Sequence, residues 1–345
     1  MTLRCPRRGI LNQDVLDLGG GMEQLQLPNF KNRDLLEPLP LKDVIDDSVT
    51  DFDIYIEIGG HMVLYAPQPY RWNQSEIDRL INDGHIQLFY DRRDKELVSV
   101  YHKVFTCSEI DPEECPDQRI AKIMDLTSEF SHILYDHNFT KSALAQGQKI
   151  SELLVDCLQE KPSCVKALGK LSDHHAYTYY HSGRVAAYSL AIAMRRSLQS
   201  EEELQSIALG CLLHDIGKSG VDAEILNKPG PLTDLEWHEV KQHPETGFKM
   251  VSDSHLGLVP VEIILHHHER EDGEGYPHQL TASELLTEVR IAAFSDIFDA
   301  LTSHRPYQKT RSKYEALDFI RFHLLDHVCS ESFKALVALL HEEEK

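Results

Sequence analysis

The chain has 345 residues, 41% of them apolar, and a formal net charge of −21. That size and apolar content allow a substantial core, either as two domains or as one domain with an extension. The acidity excludes sequence-independent binding to DNA or RNA polymers, and no apolar run has the length of a membrane span or the form of a signal peptide. The seven cysteines, at positions 5, 107, 115, 157, 164, 211 and 329, show no metal or redox spacing, so a reduced, cytoplasmic compartment is expected.

In chain order, residues 1–48 are expected to form a poorly ordered N-terminal segment, Gly-rich and polar over its first thirty residues. Alternating runs at 53–58 and 61–65, joined by Gly59-Gly60, predict a β-hairpin. Ser75 is the expected N-cap of a helix that runs to Asn82 and ends at Gly84. Residues 86–90 and 96–101 flank the polar stretch Asp91-Arg92-Arg93-Asp94-Lys95 and predict a second hairpin. Residues 49–106 are thus expected to be a small α+β module that senses a ligand, docks a protein partner or mediates self-association.

Residues 107–142 read as a linker and connecting helix. The helix carries Ile120, Ile123, Met124, Thr127, Phe130, Ile133 and Leu134 at helical spacing. From 143 to 345 the pattern is all-helical, with helices expected at 143–159, 176–197, 202–217, 234–251, 256–269, 283–302, 312–326 and 331–340. The fold class is therefore mainly α, with a small N-terminal α+β domain.

The helical part carries side chains of the type that bind metals: His181, the pair His214-Asp215, His243, the run His266-His267-His268, and Asp296. No Cys lies among them at ligand spacing. Imidazoles and carboxylates without thiolates suit Fe, Mn or Zn at an open, water-bearing site. Neighbours on one helix point about a hundred degrees apart, so His214 and Asp215 would not duplicate each other. Asp215 could bridge two cations while His214 holds one of them, the arrangement of a two-metal hydrolase. Asp296 sits in the apolar stretch Val289-Arg290-Ile291-Ala292-Ala293-Phe294-Ser295, where an unpaired carboxylate would be costly.

The words around these residues are specific. Leu212-Leu213-His214-Asp215-Ile216-Gly217-Lys218 is followed by Leu226-Asn227-Lys228-Pro229-Gly230 and by Lys241-Gln242-His243-Pro244-Glu245. Then come His267-His268-Glu269-Arg270-Glu271-Asp272-Gly273-Glu274-Gly275-Tyr276-Pro277 and finally Arg305-Pro306-Tyr307. In this order and spacing the chain resembles the HD-GYP family of cyclic di-GMP phosphodiesterases, over roughly residues 140 to 340.

The resemblance implies an HD-type helical bundle and a catalytic domain over 143–345. It also implies two divalent metal ions, Fe or Mn, held by His181, His214, Asp215, His243, His267, His268 and Asp296. Asp215 and Lys218 would act in hydrolysis, with cyclic di-GMP as substrate and pGpG as main product. Lys218, Tyr276 and Arg305 would contact that substrate. His266 is left outside the ligand set, and Asp272 is expected to hold the Gly-rich loop through backbone hydrogen bonds.

Two positions depart from the family pattern. Tyr177 stands where some members carry a Glu that supports a third metal, and Gln308 stands where many carry a basic residue. The first implies two metals. The second leaves open an alternative, a slow or inactive cyclic di-GMP receptor that signals through its N-terminal module.

Overall fold

The computed structural model of the protein describes residues 30–106, 110–111, 113–136, 139–170, 177–198, 200–228, 230–303 and 310–341. Residues 1–29, Arg305, Gln308 and the Tyr177 side chain lie outside what it describes.

The N-terminal part is a five-stranded antiparallel sheet built from β1 (Phe30–Lys31), β2 (Leu36–Pro40), β4 (Ile54–Ile58), β5 (His61–Ala66) and β7 (Gln87–Asp91) in the order β1-β5-β4-β7-β2. A small ribbon pairs β3 (Val49–Thr50) with β6 (Tyr70–Arg71). The β4–β5 hairpin forms as expected, with Gly59 and Gly60 at φ of 58° and 82°. Two positive φ angles in a two-residue loop match the right-handed twist of the strands and favour glycine.

Among the described residues, regular structure is present before residue 49. Strand β2 pairs with β7 along its whole length and buries Leu36 and Leu39. It carries Pro38 and Pro40, but β2 is an edge strand, where a missing N–H is tolerated. Helix α1 (Gln74–Asn82) is capped by Asn73, whose side chain accepts from the Glu76 N–H, and not by Ser75.

The expected second hairpin is absent. Residues Lys95–Thr106 form helix α2. Val98 and Tyr101 enter the core beneath the sheet, while Val100 and Val104 enter the main helical core. A helix buried on two sides carries apolar residues on both faces, and over 96–101 that pattern mimics strand alternation.

The helices that follow are α3 (Pro116–Asp136), α4 (Lys141–Glu160), α5 (Tyr177–Arg195), α6 (Glu201–Leu213), α7 (Ala223–Leu226), α8 (Asp234–Val240), α9 (His243–Val251), α10 (Leu258–His266), α11 (Thr287–Thr302), α12 (Lys313–His323) and α13 (Ser330–His341). A 3₁₀ stretch, Pro162–Lys170, precedes α5. Helix α3, expected as a connector, is part of the bundle: Ile120, Ile123, Met124, Leu126 and Phe130 lie in the main core, packed against α4 and α5. Helices α5, α6, α10 and α11 pack around one another and set the frame of the site. Phe294 and Phe298 of α11 are fully buried there. Each stabilises the bundle by about 1.5–3 kcal/mol relative to exposure.

Candidate metal centre

Three helix ends create the site. Helix α6 stops at Leu213, so His214 becomes its C-cap, and Asp215, at φ −95° and ψ 6°, opens the 3₁₀ turn Ile216–Gly220. The continuous helix expected over 202–217 therefore breaks at the His-Asp pair. The turn that follows is pressed against α9 at Gly217. A Cβ there would sit 2.0 Å from the His243 carbonyl oxygen and 2.5 Å from the Gly247 nitrogen. Only glycine lets the turn approach α9 so closely.

The expected helix 234–251 likewise splits, and His243 begins α9 with Pro244 in the first turn, where a missing N–H costs nothing. Helix α10 ends at His266, which leaves His267 as its C-cap. His181 comes from α5 and Asp296 from α11.

All seven side chains predicted as ligands converge. Two sets of ligand atoms lie within 4.8 Å of one another: Asp215 with His243, His267 and His268, and Asp215 with His181 and His214. Either set could hold a metal ion, and Asp215 is common to both. Asp296 closes the other side, with Oδ1 3.1 Å from His181 Nε2 and Oδ2 3.8 Å from His268 Nδ1.

The backbone sets the tautomers. Nδ1–H of His214 donates to the Cys211 carbonyl and that of His243 to the Val240 carbonyl, each at 2.7 Å. Nδ1–H of His267 donates to the carbonyls of Ile263 and Ile264. Each Nε2 lone pair is thereby turned inward. His243 Nε2 and His267 Nε2 face each other at 3.2 Å. Two acceptor lone pairs at that distance repel unless a cation or proton lies between them. His214 Nε2 and Asp215 Oδ1 are buried with no hydrogen-bond partner, a cost that a metal would remove. This donor set fits divalent cations.

The electrostatics of Asp215, Asp296, His267 and His268 agree with that fit, whereas at His181 burial is outweighed by Asp296 and Asp299, which raise it. Burial opposes ionisation of Asp215, but His214, Lys218 and His243 outweigh it and hold the carboxyl well below its usual range. Asp296 is likewise depressed: burial opposes, and His181 beside it dominates. Burial lowers His267 to about 4, helped by His214 and His243. Burial and the adjacent His267 hold His268 well below the usual imidazole value. Two ionised carboxylates and two neutral imidazoles are the protonation states that bind metal.

Lys218 does not lie on a continuous helical face with His214. It sits in the 3₁₀ turn with its Nζ 2.5 Å from Asp215 Oδ2. An ammonium is thus carried to the edge of the cluster.

The Gly-rich loop bends back over α10. Tyr276 stacks on His268 with ring centroids 4.7 Å apart, and burial holds its phenol above the usual range, so it stays neutral. Asp272 supports the loop as expected, accepting from the Glu274 N–H and pairing with Arg270.

Three supporting residues, Asp299, Arg184 and Glu269, escaped the sequence reading. Asp299, one turn after Asp296, accepts from His181 Nδ1 at 2.7 Å and from Arg184 Nε at 2.6 Å. Burial opposes its ionisation, but Arg184 and His181 hold its carboxyl below the usual range. Such a partner orients a metal-binding imidazole. Its i+3 spacing from Asp296 was the available signal. Glu269 accepts from the backbone N–H groups of His278 and Leu280 at 2.6 and 3.1 Å, tying down the loop. His266 also serves the loop: its ring nitrogens contact Glu262 Oε2 at 2.9 Å and His278 Nδ1 at 3.0 Å.

Comparison with known proteins agrees with this architecture. Residues 165–328 match the HD domain family. A cyclic di-GMP phosphodiesterase of Pseudomonas aeruginosa is 42% identical over 158 residues, covering 45% of this chain and 38% of that protein. A 3′3′-cGAMP-specific phosphodiesterase of Vibrio cholerae is 35% identical over 187 residues, covering 52% of this chain and 40% of that protein. The chain thus spans well under half the length of these relatives. An HDG"Y"P protein of Bdellovibrio bacteriovorus superposes with a TM-score of 0.60 at 17% identity, covering 88% of this chain and 99% of that one, a likeness of fold. Residues 165–328, with the His-Asp pair at the end of α6, are thus similar to the HD domain family, a likeness confined to that part of the chain.

Proposed function

We propose that the protein is a metal-dependent phosphodiesterase that hydrolyses cyclic di-GMP, mainly to the linear dinucleotide pGpG. The observation that carries this reading is the shared carboxylate. Asp215 belongs to both groups of ligand atoms, and inward lone pairs on His243 and His267 surround it at 3.3 and 3.7 Å. The named activities of the 42% and 35% identical relatives support the substrate class.

His181, His214, Asp215, His243, His267, His268 and Asp296 would hold two divalent ions, iron or manganese. Bound there, the ions would supply an activated water near neutral pH and charge for the phosphate oxygens. The protein's own groups do the rest. Asp299 and the backbone carbonyls fix the imidazole tautomers. Lys218, already at Asp215, brings an ammonium to a substrate phosphate and to the departing 3′-oxygen. Tyr276 offers a neutral phenol and a ring face beside His268. Arg305 would supply a guanidinium to phosphate or guanine. Tyr177, at the position of a third-metal Glu in some HD-GYP proteins, makes pGpG the main product.

The test is a chromatographic time course on cyclic di-GMP and 3′3′-cGAMP with iron or manganese reconstituted anaerobically. The reading expects accumulation of pGpG and two ions per chain by elemental analysis. It expects loss of both metal content and turnover in Asp215→Ala. Full metal content and wild-type turnover in Asp215→Ala would overturn it, as would conversion to GMP with no pGpG phase.

A further inference from the structure

Beyond the metal cluster, the Gly-rich loop forms a corner with helix α8. Trp237 of α8 is 45% exposed, unusual for an indole. Its ring meets Tyr276 edge-on, with centroids 6.5 Å apart and planes at 75°. Tyr276 in turn stacks on His268, so the exposed indole is continuous with the cluster through one ring. Lys241, one turn after Trp237, places its Nζ 5.5 Å from the centroids of both Trp237 and Tyr276.

The helix that carries this corner is well anchored. Thr233 and Glu236 form a reciprocal capping box at its start, and Lys228 pairs with Glu236. The capping box alone satisfies two orphan backbone donors at the helix start. Trp237 is therefore displayed from a fixed element and not from a loose loop.

Two aromatic faces at a steep angle with an ammonium between them suit a flat, π-rich ligand with an acceptor edge. Nucleobases stack on aromatic side chains whatever their identity. The ammonium adds discrimination, because lysine only donates. Guanine offers N7 and O6 as acceptors on its Hoogsteen edge, whereas adenine carries an N6 donor in place of O6.

We propose that Trp237 and Lys241 are the base-reading residues of the site, with Trp237 stacking on one purine of the cyclic dinucleotide and Lys241 donating to O6 and N7 of guanine. This assignment rests on the cyclic dinucleotide reading above and extends it to residues outside the metal-binding motifs. It makes this corner select guanine over adenine.

The experiment uses the metal-loaded full chain with cyclic di-GMP, 3′3′-cGAMP and cyclic di-AMP. In Trp237→Ala, KM for cyclic di-GMP should rise roughly 5- to 150-fold with kcat within about twofold, the loss of one base stack. Trp237→Phe should recover most of that affinity. Lys241→Gln should lower the preference for cyclic di-GMP over cyclic di-AMP by about fivefold or more. An unchanged KM in Trp237→Ala, or an unchanged base preference in Lys241→Gln, overturns the proposal.

A fluorescence titration separates this failure from failure of the substrate reading. The chain has two tryptophans, and Trp72 is 1% exposed. Saturable quenching by GMP, weaker by AMP and lost in Trp237→Phe, therefore reports on the corner without turnover. If no cyclic dinucleotide is hydrolysed but GMP still quenches selectively, the substrate reading falls and the corner stands. If GMP and cyclic di-GMP both leave the emission unchanged, the corner falls.

Discussion

Asp299→Ala is the most informative single change outside the proposed ligands. Asp299 is fully buried and takes hydrogen bonds from His181 Nδ1 at 2.7 Å, Arg184 Nε and Nη2 at 2.6 and 3.1 Å, and Ser303 Oγ at 3.2 Å. Its removal strips a buried guanidinium of that carboxylate, at a cost of about 3–5 kcal/mol to folding. It also frees the His181 ring from the group that fixes its tautomer and angle. Loss of such a partner lowers metal affinity about 10- to 100-fold, equivalent to about 1.4–2.7 kcal/mol. The stability effect is thus the larger of the two, and two assays read them separately. Urea denaturation of the metal-free chain reports the first, and competition against a chelating dye reports the second. Asp299→Asn keeps one carbonyl acceptor but turns an NH₂ toward one of the donors, so it should fall between wild type and Ala in both assays. Metal-free stability within about 1 kcal/mol of wild type, together with unchanged metal affinity in both variants, would refute the reasoning.

Gly217→Ala puts a methyl 2.0 Å from the His243 carbonyl oxygen; it should lose metal content and at least about 1–3 kcal/mol of stability, read by elemental analysis and thermal melting, and wild-type values for both would show that the turn can yield. Glu269→Ala removes the acceptor shared by the N–H groups of His278 and Leu280, a loss of about 0.5–1.5 kcal/mol for each hydrogen bond. Limited proteolysis should then cut the loop at 272–282 faster, and unchanged cleavage would rule out its role as the loop anchor. In the N-terminal sheet, Arg93 holds the Asp91 carboxyl well below its usual range, with Lys31 adding to the effect against burial. A depressed carboxyl stabilises the fold above the unfolded value of about 4, and that contribution is lost as pH falls. The stability gap between wild type and Asp91→Asn should therefore be widest at pH 7 and shrink toward pH 3 in urea titrations. A gap independent of pH would contradict it.

Much of the architecture was legible from local chemistry. The Gly59-Gly60 hairpin follows from a two-residue loop that needs positive φ twice, and the all-helical part follows from 3.6-residue periodicity. The seven proposed ligands were legible from residue type and motif order, because metal-type side chains in that company have few other uses. Helix α2 was not legible. It is buried between two cores, and its period could be read only once both cores were known. The tight seat of the following turn was equally hidden, since it depends on Gly217 meeting the His243 backbone across 26 residues of chain.

What the sequence by itself determined, then, was the set of chemical groups and the local geometry of their turns and helices. The tertiary structure alone decided which groups meet: that Asp215 is shared by two clusters, that Asp299 orients His181 from a helix 118 residues away, and that Trp237 and Lys241 stand beside Tyr276. Hydrogen-bond periodicity is written into a short window of residues. Contact between distant residues is not, because it is settled by how whole apolar faces pack, and only that packing brings these side chains within reach of one another.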